Sequence, residues 1–287
     1  MKKNLQEKQI RQPRRRPIRR PSWHSKHRRY PSDLTSEQWN LISALLRQNT
    51  RGPGGRPRTY PLREILNGML YVLRGGISWR MMPSDLPPWS TVYGQFRKWK
   101  KDGTFERMNA ILREEVRKKE GKEPTPSLVI IDSQSAQTTE SGGVRGLDAG
   151  KKVKGRKRHI VVDTLGMIWA AVVHAADVQD PTGARLVLPK LHGKVPRLKV
   201  ILADKIYQGT LSILAWALGG WKLEIVSRAK GQKGFSVLPK RWIVERTFAW
   251  MGRNRRLSKD YERLPETSEA WIYLSMVWLM TRRLRPG

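Results

Sequence analysis

The sequence predicts an α/β fold class: a mixed five-stranded sheet with helices, preceded by a small all-helical region. Three observations carry this reading. From Tyr30 to about Gly121 apolar residues recur at helical spacing, broken by Gly- and Pro-containing turns. Beyond the polar linker Glu120 to Ser127, short continuous apolar runs take over, each bounded by a polar or turn residue. Two further helical segments close the chain, and the last is apolar on several faces.

Composition bounds the partners. The 287 residues include 57 Lys+Arg against 24 Asp+Glu, a formal net charge of +33. A positive field of that size most often meets polyphosphate, and nucleic acid outranks an anionic membrane because no basic amphipathic anchor helix is evident. The 38% hydrophobic content with 12 Trp excludes a wholly disordered basic tail. The absence of Cys excludes a disulfide scaffold, a Cys-based zinc site and a Cys nucleophile, and fits the reducing cytoplasm. The longest apolar stretch, Leu165 to Ala176, is interrupted by His174 and falls short of the ~20 residues that a membrane helix needs.

Residues 1–29 hold 12 Lys/Arg against the single acid Glu7 and read as a disordered basic arm, either a phosphate-neutralising arm on DNA or a dispensable extension. Residues 30–121 follow as a helical, DNA-binding domain. Thr35 and Gln38 make a capping box ahead of Trp39, Ile42, Leu45 and Leu46. Pro61 opens a second helix that stops at Gly75-Gly76, Ser90 caps a third as far as Gly103, and a fourth spans about Phe105 to Gly121. Arg97, Lys98, Lys100 and Lys101 on the third helix suit a helix-turn-helix-like module; a plain bundle with a solvated basic face is the alternative reading, and the sequence alone leans toward it.

Residues 122–287 carry the strands. Leu128 to Ile131 ends at Asp132; His159 to Val162 and Ile168 to Val173 flank the turn Asp163 to Gly166. A helix from Pro181, a strand Leu198 to Ala203 ending at Asp204, a helix Thr210 to Leu218 and a strand Leu223 to Val226 come next. Helices over Trp242 to Leu257 and Ser268 to Leu284 finish the chain. That order is the order of an RNase H-like core.

Phosphodiester chemistry on DNA calls for divalent cations, which take a few carboxylate oxygens brought together by the fold. Asp132 and Asp204 at strand ends and Glu245 early on a helix are candidates. Each also reads as a turn former, a cap or a surface ion-pair partner, and spacing alone does not choose among the acids. Asp163 reads as a hairpin-turn residue, Asp177 and Asp180 as loop or cap residues, and Asp148 as a loop acid. Lys151, Lys152, Lys154, Arg156, Lys157 and Arg158 form a basic run beside the first strand, able to straddle a DNA backbone. Trp242 and Trp250 read as packing residues, with base stacking as the alternative. His159, His174 and His192 lack metal-ligand spacing.

From Tyr30 to Leu284 the chain resembles a bacterial insertion-sequence transposase of the DDE class, of the insertion-sequence-five-like group. The segments that carry the likeness are Tyr-Pro-Ser-Asp-Leu-Thr from Tyr30, Leu-Arg-Glu-Ile-Leu-Asn from Leu62, Trp-Arg-Met-Met-Pro from Trp79 and Pro-Pro-Trp-Ser-Thr-Val-Tyr from Pro87. In the second half they are Ile-Asp-Ser-Gln-Ser from Ile131, Lys-Gly-Arg-Lys-Arg-His from Lys154, Ala-Asp-Lys-Ile-Tyr from Ala203 and Val-Glu-Arg-Thr-Phe-Ala-Trp from Val244. The resemblance implies that Asp132, Asp204 and Glu245 are catalytic and bind two Mg²⁺ (or Mn²⁺) ions. Arg241 matches the family's Arg before the Glu, whereas Leu238 and Gly252 stand where related motifs often have Tyr and Lys. It further implies double-stranded DNA, transposon ends and target, as the partner of a homo-oligomer, a dimer on DNA. The resulting expectation is a nucleoid-associated enzyme that cleaves at terminal inverted repeats and joins a 3′-hydroxyl to target DNA. Two alternatives remain: a non-catalytic DNA-binding protein derived from a transposase, and an RNase H-like nuclease.

Overall fold

The computed structural model describes residues 30–48, 59–226 and 240–284; the basic arm lies outside them. Helix α1 (Ser36–Gln48) opens on a capping box, in which the Gln38 N–H donates to Thr35 Oγ1 at 3.3 Å and the Thr35 N–H donates to Gln38 Oε1 at 3.0 Å. Helix α2 (Leu62–Gly75) starts one residue after Pro61 and stops at Gly76, whose φ of 72° turns its N–H back onto the Val72 carbonyl. Helix α3 (Trp89–Lys101) begins directly after Pro88, one residue before the expected cap, and α4 (Thr104–Lys119) follows a left-handed Gly103.

The sheet comprises β1 (Leu128–Gln137), β2 (Gly146–Asp148), β3 (Val153–Asp163), β4 (Ile168–Ala175), β5 (Val200–Ala203) and β6 (Lys222–Ile225). Its order is β4-β3-β1-β5-β6, with β2 continuing the β4 edge along the start of β3. β3 runs antiparallel to both β1 and β4, while β5 and β6 extend the sheet in parallel with β1. Helices α5 (Asp180–Val187) and α6 (Leu211–Gly219) connect the parallel strands; α7 (Trp242–Gly252) and α8 (Pro265–Arg283) close the chain. This is the RNase H-like arrangement of a mixed sheet with helices, enlarged by one three-residue strand.

Alternation along the strands builds two cores. Val129, Ile131 and Val161 face α5 and α6, whereas Ile130, Ile160 and Val162 face α7 and α8. The second core also takes in Leu66, Phe96 and Leu112 of the helical region, so the described residues of 30–121 share their apolar centre with the sheet. Helix α8 is the reason: Trp271 stacks on Trp79 at 5.4 Å and packs against Phe96 at 4.4 Å, while Asn109 donates to the Tyr273 carbonyl at 2.7 Å.

Two strands are longer than their apolar runs. β1 continues past Asp132 to Gln137, and β3 starts at Val153 rather than His159, because Ser133–Gln137 ladders against 155–159. The basic run is therefore strand from Lys154 onward, while Lys151 and Lys152 lie in the turn before β3. Helix α7 ends at Gly252, and Leu257 lies in a separate 3-10 turn, Arg255–Leu257.

Candidate active site

Parallel pairing brings the first two acids level. The ladder matches Leu128 with Val200 and Ile130 with Leu202, and carried two residues further it sets Asp132 beside Asp204 on the α7 face. Arg241, directly before α7, places one guanidinium between them, 2.9 Å from Asp204 Oδ2 and 3.6 Å from Asp132 Oδ2. Burial raises the Asp132 pKa, opposed by the Ser133 N–H that it accepts and by the charges of Arg241 and Lys151.

Glu245 does not join this pair. It lies exposed on the first turn of α7, four residues after Arg241, and among the described residues no three His, Cys, Asp or Glu side chains form a group able to hold a metal ion. Among the described residues it forms no ion pair with its neighbour Arg246, whose guanidinium lies between Trp242 and Trp250, 4.5 Å from each ring. Packing on Arg246, with its Nη2 donating to the Leu165 carbonyl, is what both tryptophans do here.

Half of the basic run turns inward. Arg156 is fully buried, pairs with Asp260 at 3.2 Å and donates to the carbonyls of Val144, Glu262 and Arg263. Arg158 donates to the carbonyls of Leu257 and Lys259, and Lys157 reaches Val178 O, with Asp180 3.4 Å away. The assignment of Arg156, Lys157 and Arg158 to a DNA backbone is thereby corrected: strand alternation directs them into both layers, where acids and carbonyls use their donors. Lys151, Lys152 and Lys154 stay exposed, as do Arg97 and Lys98 on α3, which line an open groove with Lys101 and Glu266.

The family model described as "Transposase DDE domain" matches residues 123–280. The chain belongs to this DDE transposase family. A second model, described as "Putative transposase of IS4/5 family", matches residues 34–109, the helical region. Among relatives, the chain is 29% identical over 138 residues to a Burkholderia cepacia protein named "Putative transposase for insertion sequence element IS402", covering 46% of this chain and 65% of that one. It is 28% identical over 126 residues to the "Insertion element IS402 uncharacterized 16.2 kDa protein" of the same species, covering 42% and 78%. The matched stretch thus spans slightly under two thirds of the first relative.

On the opposite face of this DDE domain lies a buried polar network that sequence reasoning missed. His159 Nδ1 is 2.8 Å from His174 Nε2, and His159 Nε2 is 3.0 Å from the Tyr207 hydroxyl. Ser133 donates to Asp180 and Ser135 to Asp148, so these two acids are structural anchors rather than loop or cap residues. Burial and the neighbouring His174 hold His159 neutral, its pKa lowered to about 3. A legible signal existed: Ser133, Ser135, Lys157 and His159 alternate with period two and pair directly across β1 and β3.

Proposed function

We propose that the chain is a transposase that cleaves at the terminal inverted repeats of its insertion sequence and joins the freed 3′-hydroxyl to target DNA. The supporting observation is the convergence of two carboxylates, Asp132 and Asp204, on one cationic group at the end of the parallel strand pair. Open α/β sheets bind ligands at such strand ends. The donor set consists of carboxylate oxygens, which hard divalent ions take, and the Arg241 guanidinium marks where a cation fits.

Asp132 and Asp204 would hold Mg²⁺ or Mn²⁺, and exposed Glu245 is the further carboxylate that a second ion requires. A bound divalent ion supplies Lewis-acid charge to the phosphodiester and a more acidic water. Arg241, once drawn away from the acids, presents a planar fork of donors to a phosphate, and Lys151, Lys152 and Lys154 offset the acids' repulsion of the DNA backbone. Joining two ends requires a dimer on DNA. Duplex oligonucleotides bearing the repeat, incubated with Mg²⁺, test the reading: Asp132→Asn abolishes nicking and strand transfer while duplex binding persists. Undiminished cleavage by that variant would overturn it.

A further inference from the structure

At the seam of α1, α2 and α8 and the segment after α7 lies a cavity of about 600 Å³, lined by Arg74, Arg253, Arg255 and Arg282 together with Ser32 and Tyr71. None of these four arginines forms an ion pair with an acid among the described residues; Arg74 donates only to the Arg253 carbonyl at 2.9 Å and to Asn254 Oδ1 at 3.2 Å. Like charges crowd it: after burial, Arg282 and Arg253 are the causes that lower the Arg74 pKa. The Ser32 hydroxyl, buried in the wall, has no hydrogen-bond partner among the described residues. Four guanidiniums from three parts of the chain, with no carboxylate among the described residues to balance them, leave a concave site whose chemistry is complete only with an oxyanion.

We propose that this cavity is a phosphate-binding site that grips a phosphodiester of the DNA backbone away from the acid pair. It takes its DNA source from the proposed function; its phosphate chemistry does not depend on it. Helix α7 sets the spacing. Arg241 directly precedes the helix and Arg253 directly follows its 11 residues, about 16 Å of helix axis. A duplex lying along α7 reaches both ends, so the cavity would hold register while the acids act on the strand.

The test uses the full chain and Arg253→Gln/Arg282→Gln, two exposed side chains that hold no other part of the fold by hydrogen bonds among the described residues, with Lys199→Gln/Lys222→Gln as an equal charge loss elsewhere. Fluorescence anisotropy measures duplex affinity against salt, and thermal melting measures stabilisation by inorganic pyrophosphate at constant ionic strength. For a DNA phosphate, the salt slope falls by about one for each phosphate that the arginine variant no longer neutralises, and hardly moves in the lysine control. Lost pyrophosphate protection with an unchanged DNA slope assigns the same chemistry to a free anion. If a folded arginine variant, checked by circular dichroism, keeps both the slope and the pyrophosphate protection, the site is refuted. Arg255→Gln repeats the measurement should the double variant unfold. Because binding is read without cleavage, a failed nicking assay with an intact arginine effect refutes the transposase reading alone.

Discussion

Asp132 and Asp204 face one guanidinium, that of Arg241, across neighbouring parallel strands. Asp204 alone is an ordinary strand-end acid and Asp132 lies within β1; together they would repel in the absence of a cation. The protein therefore carries an internal counter-ion that any divalent metal must displace.

Replacing that counter-ion has a measurable consequence. Arg241→Gln should bind Mn²⁺ several-fold more tightly than the parent chain in a calorimetric titration, since no internal cation competes, while weakening duplex binding. Equal or weaker Mn²⁺ affinity in the variant would mean that the guanidinium does not compete for the site.

Glu245 offers a separation of stability from activity. Being exposed, Glu245→Gln should leave the unfolding free energy measured in urea unchanged within about 0.5 kcal/mol. Its Mg²⁺-dependent nicking should nevertheless fall at least about tenfold if the residue supplies the further metal ligand. A marked loss of stability would show instead that the side chain has a structural role.

Asp163 is a heavily engaged acid of the fold. It pairs with Arg117 at 2.7 Å and accepts from the Leu165 and Met167 N–H groups and from Trp169 Nε1, with both ion-pair side chains buried. Asp163→Asn removes the charge opposite a buried guanidinium and should cost about 3–5 kcal/mol in denaturant unfolding. A loss below about 1 kcal/mol would show that solvent reaches the pair.

The histidine pair makes stability depend on pH with a definite sign. His159 stays neutral in the folded chain, its pKa near 3 against 6.5 for an unperturbed ring, so the unfolded state binds the extra proton between those values. Stability from this group is complete above pH 6.5 and is lost as pH falls, at up to about 1.4 kcal/mol per unit. His159→Gln should be less stable at pH 8 yet lose less on acidification to pH 5. Parallel curves for the two proteins would place the acid sensitivity in other groups.

What the chain discloses before folding follows the range of its signals. The Thr35–Gln38 capping box, the stop at Gly76 and the order of apolar strands are local and legible, whereas the polar continuations of β1 and β3 are not. Asp132 and Asp204 are visible as polar ends of apolar runs, but their level pairing arises only from the β1–β5 register. Arg156 and Arg158 misled because charged runs are normally solvated, burial being costly without partners. Asp260, which pairs with Arg156, lies 104 residues downstream, and the carbonyls that hold Arg158 belong to residues 257 and 259. Glu245 shows the opposite limit: its place on α7 is readable, whereas its distance from the acid pair is a property of how that helix docks.

Helix α8 gives the molecule a temporal constraint. Trp79, Phe96 and Asn109 find their partners on a segment that leaves the ribosome long after they do. The N-terminal helices therefore complete the burial of their apolar sides only once α8 has been synthesised, and nascent chains halted before Pro265 should be more protease-sensitive in that region than the full chain. Emergence of this one helix thus acts as the checkpoint before the chain can assemble its acid pair and basic surfaces into one body.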